Sequence, residues 1–328
     1  MPQHNELVRS EQEVSLDWNS QYISELVALA LKEDVGSGDV TAEAVVPANA
    51  TGKARIIARE ELTCAGLPLA EEVFRTLDPQ MQIDLRVQDG ARVTKDGELL
   101  HLSGDARAVL TGERTALNFL THLSGIASLT HKFVAQLDGT KTKIRDTRKT
   151  TPGLRVLEKY AVKMGGGTNH RIGLYDAILL KENHIALAGG VRQALDQAHA
   201  FASMHTNPRA TTAYEELGTA PAKRTAPLTV QIEVRNESEL REALAAGAES
   251  VLLDNMTPSA AKRCVDIVRA TRPDCVVEIS GGITLENARA YAEAGADFLS
   301  SGSLTHSAPA ANLSLLIDSI LVDQPPAK

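Results

Sequence analysis

Ser250-Val251-Leu252-Leu253-Asp254-Asn255 and Cys275-Val276-Val277-Glu278-Ile279-Ser280-Gly281-Gly282 decide the fold. Each is a short apolar run that ends in polar or charged side chains. The same grammar returns in Thr142-Lys143-Ile144-Arg145 before Asp146, and in Ala177-Ile178-Leu179-Leu180 before Lys181. It returns again in Leu228-Thr229-Val230-Gln231-Ile232 before Glu233, and in Asp297-Phe298-Leu299 before Ser300. The last four run ends fall at intervals of roughly 20 to 26 residues, which suits a βα repeat. Helices are predicted between them at Glu237–Ala246, Pro258–Ala270 and Leu285–Ala294. Buried parallel strands with polar C-terminal ends read as a β/α barrel or a doubly wound sheet, with its site on that edge. No G-x-G-x-x-G follows an early strand, so a barrel is favoured over a dinucleotide fold. Six or seven strands can be counted, not a clean eight.

Between the Thr142 and Ala177 runs lie Asp146-Thr147-Arg148-Lys149-Thr150-Thr151-Pro152-Gly153 and Lys163-Met164-Gly165-Gly166-Gly167-Thr168-Asn169-His170-Arg171. From Lys141 to Arg171 there are nine cations against two acids, Asp146 and Glu158, while the whole chain of 328 residues carries −8. Such a field favours a small, highly charged anion, and the interleaved glycines and threonines suggest close backbone approach to it. Aromatics are only 3% of the chain, which removes the stacking platforms of a single-strand nucleic-acid binder. The acidic balance also argues against nucleic acid. A composition of 43% hydrophobic and 23% charged residues is that of a soluble globular protein with a mainly aliphatic core. Cys64, Cys264 and Cys275 form no C-x-x-C and read as free thiols in a reducing compartment. Met1 to Glu6 carries no cationic apolar leader, and no apolar run is long enough to span a bilayer. The expectation is a cytoplasmic protein.

The first half has a different texture. Residues 1–15 read as a flexible polar arm. Ile23–Leu31 has helical spacing, and Asp34 to Asp39 is a loop signal. Ala54–Ala58, Met81–Val87 and Glu98–Ser103 read as strands of a small layer punctuated by Gly90, Gly97 and Gly104. Ala106 to Leu137 is helical in pattern, with Leu110, Leu117, Leu120, Leu123 and Ala127 on one side and a break expected at Gly125. Residues 204–227 have no period and read as a mobile surface insertion.

Four constellations carry chemistry, each with an ordinary alternative. Gly281-Gly282-Ile283-Thr284 and Ser301-Gly302-Ser303-Leu304 follow the last two strands of the repeat. At that position barrels often build a phosphate cup, and ordinary capped turns also occur there. Glu233 and Asp254 end consecutive strands; with Asn255 they suit Mg²⁺ shared with substrate oxygens, shielding of a developing cation, or a structural pair bound to nearby Lys or Arg. Lys181 at a strand end suits a Schiff base, an anion clamp beside His184, His170 and Arg171, or a simple salt bridge. No His-x-His or H-E-x-x-H exists, so a zinc site is not expected. Arg114, on the helix running through Gly112–Asn118, reads as a surface residue or an intrahelical partner of Glu113 or Asn118.

At this point the chain resembles the quinolinate phosphoribosyltransferases, the decarboxylating nicotinate-nucleotide pyrophosphorylases of NAD synthesis. The resemblance runs from Glu33–Thr41 through Gly112–Asn118, Asp146–Gly153, Lys163–Arg171, Leu179–Ile185, Leu252–Met256 and Glu278–Thr284 to Ser300–Ala308. The arm, the tail and the 204–227 insertion fall outside it. Arg235 also departs, since the family commonly has a further acid after the valine. The resemblance implies an N-terminal α/β sandwich domain (16–139), an open, incomplete α/β barrel (140–305), and a C-terminal segment (306–328) packing back on the first domain.

It further implies transfer of phosphoribose from phosphoribosyl pyrophosphate to quinolinate, with loss of pyrophosphate and CO₂, in a homodimer whose sites are shared. Two ring carboxylates call for guanidinium forks. Arg148, Arg171 and Arg114 fit that duty, Arg114 reaching into the partner's site, with Thr147, His170 and Lys181 alongside. Lys149 and Lys181 would face the pyrophosphate, and Glu233 and Asp254 would hold Mg²⁺ directly or through water or substrate. Ser280, Gly281, Gly282, Ser301 and Gly302 would cradle the 5′-phosphate. The rivals are a phosphoribosyltransferase for another ring acid, a non-catalytic phosphate sensor and a Schiff-base aldolase.

Overall fold

A computed structural model describes residues 15–204, 219–220 and 228–322. The arm before Ser15 and most of the 204–227 insertion lie outside the described residues. In chain order the elements begin with β1 (Ser15–Leu16), α1 (Gln21–Val35), α2 (Val40–Val45), β2 (Ala50–Ala58) and β3 (Leu62–Thr63). Then come α3 (Leu67–Leu77), β4 (Gln82–Leu85), β5 (Arg92–Val93), β6 (Glu98–Asp105) and α4 (Ala106–Gln136). The second half runs β7 (Lys143–Arg145), α5 (Arg155–Met164), β8 (Ile178–Leu180), α6 (Glu182–Ala188), α7 (Val191–Met204) and β9 (Thr219–Ala220). It closes with β10 (Val230–Val234), α8 (Glu237–Ala245), β11 (Ser250–Asp254), α9 (Pro258–Thr271), β12 (Val276–Ser280), α10 (Ala288–Ala292), β13 (Phe298–Ser300), α11 (Ser303–His306) and β14 (Leu313–Val322).

Two sheets organise these elements. The repeat forms a six-stranded parallel sheet in the order β7-β13-β12-β11-β10-β8, and its two end strands do not pair with each other. It is therefore an open, incomplete barrel. Its strands are apolar because both faces are covered: Val251, Leu253, Val277, Ile279 and Leu299 have no exposed surface. The first half forms a four-stranded antiparallel sheet, β14-β2-β6-β4, packed against helices. Its outer strand β14 comes from the far end of the chain and pairs along the whole of β2.

Helix α4 links the two halves. Asp105 caps it by accepting the Ala108 N–H, and Leu117, Leu120, Leu123 and Ala127 are buried along one stripe. Leu120 has no exposed surface, so truncation to Ala would cost roughly 2–5 kcal/mol. The expected break at Gly125 does not occur: α4 runs unbroken for 31 residues. Gly125 serves a close approach instead, because a Cβ there would collide with the Pro309 carbonyl as the chain crosses back toward β14. Helix α3 escaped the sequence reading, although Gly66 before it and Pro68 at its start mark a helix N-terminus. The insertion contributes a second surprise, since Thr219–Ala220 pairs antiparallel with Ser15–Leu16. Cys64, Cys264 and Cys275 are free and buried, and burial pushes each thiol up.

Candidate active site

Side chains alternate along a strand, so every second residue near the end of a barrel strand faces the interior. Glu233 on β10, Leu252 and Asp254 on β11, Glu278 and Ser280 on β12, and Ser300 on β13 all line one cavity of about 550 Å³ at the C-terminal strand edge. Cross-strand register holds them in layers: Glu233 lies beside Leu252 and Glu278, while Asp254 lies beside Ser280 and Ser300. The loop after β7 adds Thr147, Arg148 and Lys149; the segment after α5 adds His170 and Arg171; Lys181 follows β8. Gly281 and Gly282 after β12, with Ser301 and Gly302 after β13, complete the rim.

Arg114 is the exception. It is exposed on α4 and lines no part of the cavity of its own chain. His184 is absent from the lining as well: its Nδ1 accepts the Lys181 N–H at 3.0 Å at the start of α6. Arg235 pairs with Glu182 at 2.6 Å and Glu239 at 3.1 Å, outside this cavity.

The cationic stretch divides by depth. Of its nine basic residues, only Arg148, Lys149 and Arg171 line the cavity. Lys159 is wholly buried, ion-paired with Asp146, and donates to the His170 carbonyl at 2.9 Å. Asp146 also accepts from Asn169 Nδ2 at 2.6 Å and from the His170 N–H at 2.9 Å. One buried carboxylate thus ties the loop bearing Arg148 to the segment bearing Arg171. Arg145 lies 3.4 Å from Glu278, under the cavity, with its guanidinium 3.3 Å from the Phe298 ring centre. The local charge count therefore overstated the field that a ligand meets.

Arg148 and Arg171 reach the same cavity. The Arg148 Nε is buried without a hydrogen-bond partner. Burial, and then the charge of Arg148, drive Arg171 below the usual guanidinium range, and Asp176 opposes this. Arg171 is anchored by an Nη1 donation to the Ala177 carbonyl at 2.9 Å. Two guanidiniums held close enough to repel each other form a site prepared for an anion. Elsewhere on the rim, Lys181 meets Glu233 at 3.0 Å and is half exposed. A Schiff-base lysine needs a dry pocket or a second cation beside it, and this ion pair offers neither.

The phosphate-side loops are shaped by sterics. Gly281 has φ +95°, and a Cβ there would collide with the Asn255 side chain. Asn287 pins the same turn, donating from Nδ2 to the Gly282 carbonyl at 2.8 Å and accepting the Thr284 N–H at 2.8 Å. Thr305 Oγ1 donates to the Lys149 carbonyl at 2.7 Å, joining the two sides of the rim. Glu233 and Asp254 are two carboxylates facing one cavity, and among the described residues no three His, Cys, Asp or Glu side chains gather as a metal cage. That donor set fits Mg²⁺, which takes one or two carboxylates and completes its shell with water and substrate phosphate.

Sequence reasoning overlooked Glu278, Gln231 and His306. Glu278 and His306 line the cavity. Gln231 lies two residues before Glu233 on β10, and Glu278 two before Ser280 on β12, so the strand period was the available signal.

Known proteins share the sequence and the fold of this chain. The N-terminal domain model of the quinolinate phosphoribosyl transferases matches residues 39–124, and the C-terminal domain model matches 126–220 and 209–316. The chain belongs to the quinolinate phosphoribosyltransferase family. The two C-terminal family matches meet at residues 209–220, inside the stretch set apart as an insertion. A family member from Mycobacterium leprae, nicotinate-nucleotide pyrophosphorylase (carboxylating), is 40% identical over 283 residues, covering 85% of this chain and 91% of that protein. A mitochondrial quinolinate phosphoribosyltransferase (decarboxylating) of Nicotiana glauca is 34% identical over 312 residues, covering 91% and 83%. The structure of the nicotinate-nucleotide pyrophosphorylase from Francisella tularensis superposes with a TM-score of 0.79 at 38% identity, covering 90% of this chain and 96% of that one.

Proposed function

We propose that this family member transfers the phosphoribosyl group of phosphoribosyl pyrophosphate to quinolinate, releasing pyrophosphate and CO₂ and giving nicotinate mononucleotide for NAD biosynthesis. The observation that carries this reading is the Arg148–Arg171 pair, held together in the cavity with the Arg148 Nε unpartnered. A pyridine with adjacent carboxylates offers two planar anions, the shape that guanidinium forks grip.

In this reading Arg148 and Arg171 hold the ring so that its nitrogen faces the anomeric carbon, and Thr147 closes that side. Lys149 and Lys181 neutralise the pyrophosphate. Ser280, Gly281, Gly282, Ser301 and Gly302 seat the 5′-phosphate. As the C–O bond to pyrophosphate breaks, positive charge develops on the sugar, and the Glu233 and Asp254 carboxylates lower its energy. The same two residues would hold Mg²⁺, which when bound supplies further charge to the leaving group. The quaternised nitrogen then stabilises the carbanion left at its neighbouring carbon when CO₂ departs, and that carbon takes a proton from solvent. No general base is needed to begin, so the protein contributes orientation and charge.

Arg114 enters through a second subunit. Its exposure on α4 supports a homodimer in which each arginine completes the other's site. Among the described residues no helix is long and apolar enough to cross a membrane. Three free, buried thiols support a reducing compartment, the cytoplasm.

The deciding test incubates the protein with quinolinate, phosphoribosyl pyrophosphate and Mg²⁺ and follows nicotinate mononucleotide and CO₂ by mass. Both should appear in equal amounts; absence of both would overturn the reading. Mixing inactive Arg114→Ala and Lys181→Ala subunits should restore activity. No recovery in verified mixed dimers would confine Arg114 to its own subunit.

A further inference from the structure

At the cavity floor runs a chain of side chains that the proposed chemistry does not use. Glu278 is wholly buried on β12 and Gln231 is buried beside it on β10. Gln231 Nε2 lies 3.1 Å from Glu278 Oε2, and Gln231 Oε1 lies 3.3 Å from His170 Nε2. The other ring nitrogen of His170, Nδ1, accepts the Arg171 backbone N–H at 2.7 Å.

These contacts fix proton positions by logic alone. An ionised carboxylate only accepts, so the Gln231 amide must present its NH₂ to Glu278 and its oxygen to His170. His170 Nε2 must then carry a hydrogen. Independently, the Arg171 N–H is a donor, so the nitrogen it meets, Nδ1, must be bare. Both ends of the ring give the same answer: a neutral imidazole with its proton on Nε2. An imidazolium would set an N–H on Nδ1 against the Arg171 N–H, two donors facing each other.

We propose that Glu278 and Gln231 are positioning residues that lock His170 in its neutral Nε2–H form, and that His170 in turn fixes the backbone of Arg171 where its guanidinium meets the ring carboxylates. His170 is then a strut between the sheet and the Arg171 backbone, at the edge of the cavity it lines. The surroundings agree. Burial, first, holds His170 below the usual imidazole range. Glu278 on β12 and Asp146 after β7 pull upward, while Arg145 on β7 and Lys159 on α5 push downward. His170 Nε2 also lies 3.6 Å from Glu278 Oε2, a direction in which the Nε2–H points its hydrogen at the carboxylate, and Arg145 at 3.4 Å offsets the Glu278 charge.

This inference rests on the proposed reaction for its consequence but not for its test. The protein is labelled with ¹⁵N at histidine, and the His170 ring signals are assigned by their loss in a His170→Gln variant. Without any substrate, the two ring nitrogens should show the neutral Nε2–H pattern from about pH 5.5 to 8, below and above the usual imidazole value. A His170 that becomes imidazolium near pH 6.5, as an unperturbed ring does, would overturn the proposal. Gln231→Met removes the relay while keeping side-chain length. It should let His170 titrate or mix tautomers, and raise KM for pyridine-2,3-dicarboxylate about tenfold with kcat and the sugar-phosphate KM within about twofold. Unchanged His170 signals in a folded Gln231→Met protein would remove Gln231 from the role. Glu278→Gln, which keeps shape and loses charge, should free His170 in the same way; a neutral Nε2–H ring in that variant would exclude the carboxylate as its cause. Loss of the overall reaction with a locked His170 would count against the functional reading and leave the strut intact.

Discussion

Lys159 and Arg148 belong to one cationic stretch and meet opposite fates. Lys159 sits in the interior, where burial pulls its ammonium down and Asp146 holds against that pull. Its ammonium donates to Asp146 and to the His170 carbonyl, and the result is a clamp between two loops. Arg148 sits a layer higher, with its Nε buried and unanswered and a second guanidinium for a neighbour. In the lower layer charge is balanced and serves the fold. In the upper layer charge is left unbalanced and serves a ligand.

The comparison is open to breakage at both levels. Arg148→Ala should cut kcat/KM for quinolinate by at least ~10³-fold, about 4 kcal/mol, while moving the thermal midpoint by no more than about 2 °C. Near-normal turnover would show that the upper layer is not a dianion grip. Asp146→Ala strands Lys159 as an uncompensated buried charge and should cost about 3 kcal/mol or more in urea unfolding. A loss below about 1 kcal/mol would mean that the lower layer is not the clamp described. Gly281→Ala forces a strained φ and crowds Asn255, so KM for phosphoribosyl pyrophosphate should rise roughly tenfold with little change for quinolinate. An equal rise for both substrates would separate this turn from the phosphate. The smallest effect belongs to Arg235→Ala: its partners are surface acids, and the expected cost in the same unfolding assay is under about 1 kcal/mol, with turnover held within about twofold.

Much of this was legible beforehand, for physical reasons. Parallel strands buried on both faces must be apolar and must end in polar residues, so Asp254, Ser280 and Ser300 announced both the barrel and its working edge. The division of the cations was not legible, because depth depends on register. Arg145 and Arg148 look alike in sequence, yet one stacks on Phe298 and the other lines the cavity. Gly125 misled for a related reason: a glycine within a helical pattern signals a break or a close contact, and only the returning chain at Pro309 decides which. Arg114 stays outside its own cavity, and its expected role came from family resemblance, because no local pattern encodes a contact across subunits.

The pairing of β14 with β2 has a consequence for how the molecule is made. The strand that finishes the first sheet is synthesised more than 250 residues after its partner Ala50–Ala58. Until the ribosome has released Leu313–Val322, the early half holds an open β edge next to an apolar face, a template for wrong pairing. Completion of the first layer must wait for the second half, which makes the two regions one cooperative folding problem with long sequence separation and a correspondingly slow final step.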